Sequence, residues 1–95
     1  MGWKPHWTKG AWADVSHLGG GMPGRLMKAV RDFAATGVGL TPDEQAPGIG
    51  WLSVDIYEIE IVRQVEHAFL NEDGEEIRLF DAIVVLSVVA VDPNP

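Results

Sequence analysis

The chain has no cysteine among its 95 residues, which excludes a disulfide framework, a thiolate metal site and a thiol nucleophile. It also lacks an apolar run of membrane-spanning length. The longest, Ala82 to Val91, is ten residues, about half of what a bilayer-spanning helix needs. Met1 to Thr8 mixes Trp with Lys, Pro and His where a signal peptide would show a charged and then an apolar stretch, so a cytoplasmic protein is expected. Cations are scarce: seven Lys and Arg stand against 14 Asp and Glu, for a net charge of −7. Such a surface repels nucleic acid and anionic lipid and favours a basic partner, although solubility alone also explains acidity. The net negative charge lies in one half. Residues 1–48 carry five cations and four anions, whereas residues 49–95 carry Arg63 and Arg78 against ten carboxylates.

The run Ala82-Ile83-Val84-Val85-Leu86-Ser87-Val88-Val89-Ala90-Val91 has one hydroxyl and no charge. It is rich in β-branched residues and apolar on both pleat faces, so it reads as a strand buried on both sides. The good helix candidates lie in the first half. The fold class expected is therefore α+β, a single domain over 1–95 with two N-terminal helices packed on a mostly antiparallel, strongly twisted sheet. At this length one domain buries roughly 60 to 65% of its unfolded surface and needs no staples. No repeat, domain boundary or low-complexity tract beyond Gly19-Gly20-Gly21 interrupts it.

Trp3 and Trp7, four residues apart, share one face of an element, and Pro5 between them favours a short edge strand or extended arm. Thr8 suits the N-cap of a helix through about Leu18. Pro23 fits a first helical turn, Leu26, Met27, Val30, Phe33 and Ala34 form an apolar stripe, and Gly37 fits a C-cap. Gly37 to Gly50 reads as a long loop in which Thr41-Pro42-Asp43-Glu44 fits one helical turn. From Trp51 the period becomes two, with a phase slip at Ile56-Tyr57 that a β-bulge would absorb. A helix over Ile61 to Phe69 competes, but β-branched density and the turn Asn71-Glu72-Asp73-Gly74 favour a hairpin of strands. Asp81 breaks the pattern before the last strand, and Pro93 and Pro95 leave the end extended. Val84, Leu86 and Val88 are expected to lie in a central strand against Leu26, Val30 and Phe33.

Chemistry-bearing motifs are sparse. Gly19 to Arg25 has the glycine spacing of a phosphate loop, but Arg25-Leu26 replaces its Lys and hydroxyl and Pro23 deletes a donor. His6, His17 and His67 lack metal-ligand spacing, and no cofactor is implied. In a strand, His67 shares a face with Arg63, Val65 and Phe69, which makes His67 with Arg63 the one pair available for general acid/base chemistry, set against a plain half-buried core histidine. Trp3, Trp7 and Trp12, interleaved with Lys4 and Lys9, could stack bases or rim a protein interface, and the acidic surface favours a protein partner or self-association. The alternative is that they roof the core.

The order of a short strand, two helices and an antiparallel sheet ending in a very apolar strand resembles the RelE/ParE superfamily of toxin-antitoxin systems. His6 to Val15 and Leu18 look like its first strand and helix, Tyr57-Glu58-Ile59 like the start of its central strand, and Ile83 to Val88 like its last strand. The resemblance implies an antitoxin-like protein partner. Members that cleave messenger RNA set Arg, Lys, His or Tyr on the sheet and tail, whereas here Glu60 and Ala90-Val91-Asp92 stand at such places. Only Arg63, His67 and Arg78 could substitute, so a protein-binding relative without ribonuclease activity is expected. A non-catalytic phage-type inhibitor or assembly protein docking on a basic surface is the other reading.

Overall fold

The computed structural model describes residues 2–91. The elements run β1 (Lys4–Trp7), α1 (Lys9–Ser16), α2 (Met22–Thr36), β2 (Leu40–Pro42), β3 (Ile49–Val54), β4 (Tyr57–Leu70) and β5 (Glu76–Ala90). The five strands form one sheet in the order β1-β5-β4-β3-β2. Neighbours are antiparallel except β1, which runs parallel to β5. The protein is thus α+β, with its helices first and a mostly antiparallel sheet after them. The expectation for Pro93 and Pro95 lies outside the described residues.

Local chemistry explains both helices. Thr8 is the N-cap of α1: its Oγ1 accepts the Ala11 N–H at 3.2 Å and the same hydroxyl donates to the Val85 carbonyl at 2.9 Å. One side chain therefore starts the helix and fixes it to the sheet. α1 ends at Ser16 rather than near Leu18, and Leu18 instead packs on the core from the connection that follows. In α2, Pro23 occupies the first turn. Gly37 closes the helix at φ 73°, its N–H bonding to the Phe33 carbonyl at 2.7 Å, in the left-handed conformation that glycine adopts without penalty.

Leu26, Val30, Phe33 and Ala34 of α2 and Ala11 and Val15 of α1 pack on Leu52, Ile59, Ile61, Ile83, Val85 and Val88. The helix-facing residues of β5 are thus Ile83, Val85 and Val88, not Val84 and Leu86. A bulge makes the difference. Glu60 and Ile61 are consecutive on β4 but pair with Ser87 and Val85, so Leu86 is an extra residue that resets the alternation. Ala82 and Val84 are buried as well, on the face away from the helices. β5 is interior and buried on both faces over Ala82 to Val85, but Val89 and Val91 are exposed, so the run is not covered on both sides throughout; the middle strand of the five is β4.

Three further expectations need correction. The phase slip at Ile56-Tyr57 is a hairpin turn, not a bulge: Val54 pairs with Tyr57, and Asp55 turns the chain at φ 57°. Thr41 and Pro42 belong to edge strand β2, not to a helical turn, because Leu40 can pair with Leu52 there and join the core. Asp81 does not separate two strands. β5 passes through it, with Asp81 at φ 55°.

Candidate functional site

Asp81 is where the long hairpin of β4 and β5 changes direction. The ladder pairs Gln64 with Ala82 and Glu66 with Phe80 but omits Val65 with Asp81. His6 aligns with Val84, and Phe69 aligns with Ile77. Along a straight strand those two registers lie about 23 Å apart. Yet the His6 and Phe69 rings stack with centroids 4.1 Å apart. The distal half of the hairpin, residues 65–81, therefore turns back over the face of the sheet opposite the helices. This arm covers the face on which Ala82 and Val84 are buried.

Beneath the arm is a groove of about 510 Å³, with His6, Trp7 and Lys9 on one side and His67, Phe69 and Glu72 on the other. The His6 and His67 rings are 5.0 Å apart. Nδ1 of His67 lies 3.0 Å from Oε1 of Gln64, within hydrogen-bond distance. Nε2 of His67 is buried and has no partner. Burial pushes the pKa of His6 below its ordinary value, and the neighbouring His67 lowers it further.

The bend also separates the two residues that strand parity had joined. His67 turns into this groove. Arg63 stays on the helix side, its guanidinium 5.3 Å from the ring centroids of both Trp3 and Phe33, beside a different cavity lined by Leu40 and Ile49. Parity fails here because Val65 and Asp81 leave the ladder between them. Trp3 and Trp7 pack on the core. Trp12, with its ring 5.8 Å from that of Trp7, is 48% exposed.

The outward side of the arm has a different character. Phe80 and Leu70, 56% and 69% exposed, alternate with Glu66, Glu76 and Arg78, and Val65 stands 77% exposed at the bend. Arg78 is held by two carboxylates, Glu66 at 2.8 Å and Glu76 at 3.5 Å. Glu72, Asp73 and Glu75 ring the turn. Composition located the acid but not this strip, because Val65, Leu70 and Phe80 look like ordinary strand residues until the bend presents them. Nothing local signalled His6 either, since its neighbours in the groove are 61 and 63 residues away.

The residues that carried the family resemblance have scaffold duties. Thr8 caps and anchors α1, Ala11 is fully buried, and Asp14 accepts the Val88 N–H at 2.9 Å where β1 has already ended. No family model matches the chain, and neither a curated protein nor a solved structure gives a significant match. Among the described residues no group of three or more His, Asp or Glu is placed to hold a metal ion, and no helix is long and apolar enough to cross a membrane.

Proposed function

We propose that this is a protein-binding module of RelE/ParE-like layout that acts without cleaving RNA, and that the outward side of its arm docks a basic, partly apolar segment of a protein partner. The observation that carries this reading is the strip itself. Val65, Leu70 and Phe80 are large, exposed and interspersed with carboxylates, and the one cation among them, Arg78, is already neutralised. Apolar anchors bury against a partner while the acids select lysine and arginine around them. The element order supports the family part of the reading. Trp12 is the tryptophan best exposed to contribute, whereas Trp3 and Trp7 have packing duties.

The geometry also speaks against a nuclease. General acid/base cleavage of RNA needs a proton acceptor and a cationic group converging on one phosphate. Arg63 is engaged with Trp3 and Phe33, Arg78 is ion-paired, and His67 opens into a separate groove.

Peptide-array binding tests the docking surface. Bound peptides should be enriched in Lys and Arg flanking apolar residues, and Val65→Thr, Leu70→Thr and Phe80→Thr together should abolish binding while leaving the unfolding midpoint nearly unchanged. Unaltered binding by the triple variant would reject the arm as the site. Messenger-RNA mapping after expression should show no cleavage. Cleavage lost in folded His67→Ala or Arg63→Ala would restore the enzyme.

A further inference from the structure

We propose that His6 works a pH-operated latch: as a neutral ring packed on His67 and Phe69 it holds the arm against β1, and its protonation releases the arm. The contact between arm and sheet is built around imidazoles. His6 from β1 stacks on Phe69 at 4.1 Å, and His67 lies 5.0 Å from His6 and 5.7 Å from Phe69. Nδ1 of His67 lies 3.0 Å from Oε1 of Gln64, and its Nε2 is buried without a hydrogen-bond partner. A buried charge without a partner is costly. A second proton on His6 would place a cation against the His67 and Phe69 rings with no carboxylate among the described residues paired to it.

The surroundings offer little compensation. Lys4, on the same side of β1 as His6, and Lys9 at the start of α1 are both cationic. Glu72 lines the far end of the groove, Glu66 is held by Arg78 on the outward side, and Asp81 sits exposed at the bend. Among the described residues no carboxylate is ion-paired with either imidazole. Opening the arm lets both rings regain water.

The direction of the pH effect follows from His6. Its pKa is lowered in the closed form by burial and by His67. Closure is therefore fully supported above the ordinary histidine value of about 6.5 and is lost as pH falls through the lowered one. The hinge is already present in the unpaired Val65 and Asp81. This inference concerns the position of the arm, so it stands or falls separately from the partner proposed above.

The absence of native cysteine permits a clean test. Spin labels on Ala13→Cys in α1 and Asp73→Cys at the tip, both at exposed positions, report the distance across the groove by pulsed electron resonance. Between pH 8 and pH 4.5 the distance should lengthen or broaden by about 17 Å, the reach of five strand residues beyond the bend. The amides of Ile59 and Val85 should keep their folded nuclear magnetic resonance positions. With His6→Phe and His67→Phe together, or with His6→Phe alone should the pair fail to fold, the arm should stay closed at pH 4.5. An unchanged distance in the parent, opening of the Phe variant at the same pH, or loss of the whole sheet together with the arm would each overturn the proposal.

Discussion

Removing the Asp14 carboxylate should destabilise the fold, even though α1 becomes a better helix. In Asp14→Ala the Val88 N–H loses its acceptor at 2.9 Å on a stretch of β5 that β1 does not reach. A hydrogen bond to a charged group contributes about 1.5 to 3 kcal/mol. Two effects oppose that loss. Asp14 lies near the C-terminus of α1 (Lys9–Ser16), where a negative charge is unfavourable by about 0.3 to 1 kcal/mol, and alanine gains up to about 0.7 kcal/mol in helix propensity. The net expected loss is about 1 kcal/mol, or roughly 4 to 8 °C in Tm for a domain of this size. Asp32→Ala in α2 is the control. That carboxylate makes only the exposed pair with Lys28 at 2.8 Å, which is offset by propensity, so its change should be close to zero. Urea unfolding followed by tryptophan emission measures both. Asp14→Asn, which keeps an acceptor, should fall between them. If the two alanine variants lose the same stability within about 0.3 kcal/mol, Asp14 does not hold the edge of β5 and the argument fails.

Phe33→Ala should cost about 3 to 5 kcal/mol as a large-to-small change in the core, since Phe33 is the largest fully buried side chain; under about 1 kcal/mol on denaturant unfolding would reject this core. Gly50→Ala should cost about 1 to 3 kcal/mol by overpacking, because a Cβ at Gly50 would fall on the side chain of Leu40; a second change, Leu40→Ala, should recover part of that loss in a thermal melt. The Asp43 carboxyl is held below its usual range by the Trp51 indole N–H at 3.0 Å and by the backbone N–H groups of Gln45 and Ala46. These bonds contribute above the ordinary carboxylate range and are lost as pH falls through the lowered value. The Trp51 indole proton resonance should shift at that acid limit, and Asp43→Asn should remove its pH dependence.

The sequence was informative where periodicity is local. The α2 stripe, the Thr8 and Gly37 caps, the Asn71 to Gly74 turn and the burial of the last strand on both faces over Ala82 to Val85 are each written within a few residues, and each is present. The positions that escaped depend on a single residue that shifts phase. Leu86, one extra residue, exchanged the two faces of β5, and Asp55 turned an apparent bulge into a hairpin. Asp81 had the largest effect. It looked like the end of a strand, because a carboxylate between Phe80 and Ala82 fits neither pleat face. Its left-handed backbone instead doubles the hairpin over, which supplies the second cover that β5 needs and separates Arg63 from His67. No pattern within a short window encodes that His6 will meet a residue 61 positions later.

The parallel pairing of β1 with β5 also governs the order in which the fold can form. Lys4 meets Ala82, and the Thr8 hydroxyl bonds to a carbonyl 77 residues away. The β3–β4 and β4–β5 hairpins can form from near neighbours, whereas the first strand has no partner until the last is in place. Closing so long a loop carries an entropic cost that only the finished sheet offsets. On a ribosome the segment with Trp3, Trp7 and Trp12 would therefore wait exposed until β5 has emerged. Trp3 and Trp7, which pack on the core in the finished protein, are apolar surface open to aggregation before the fold closes.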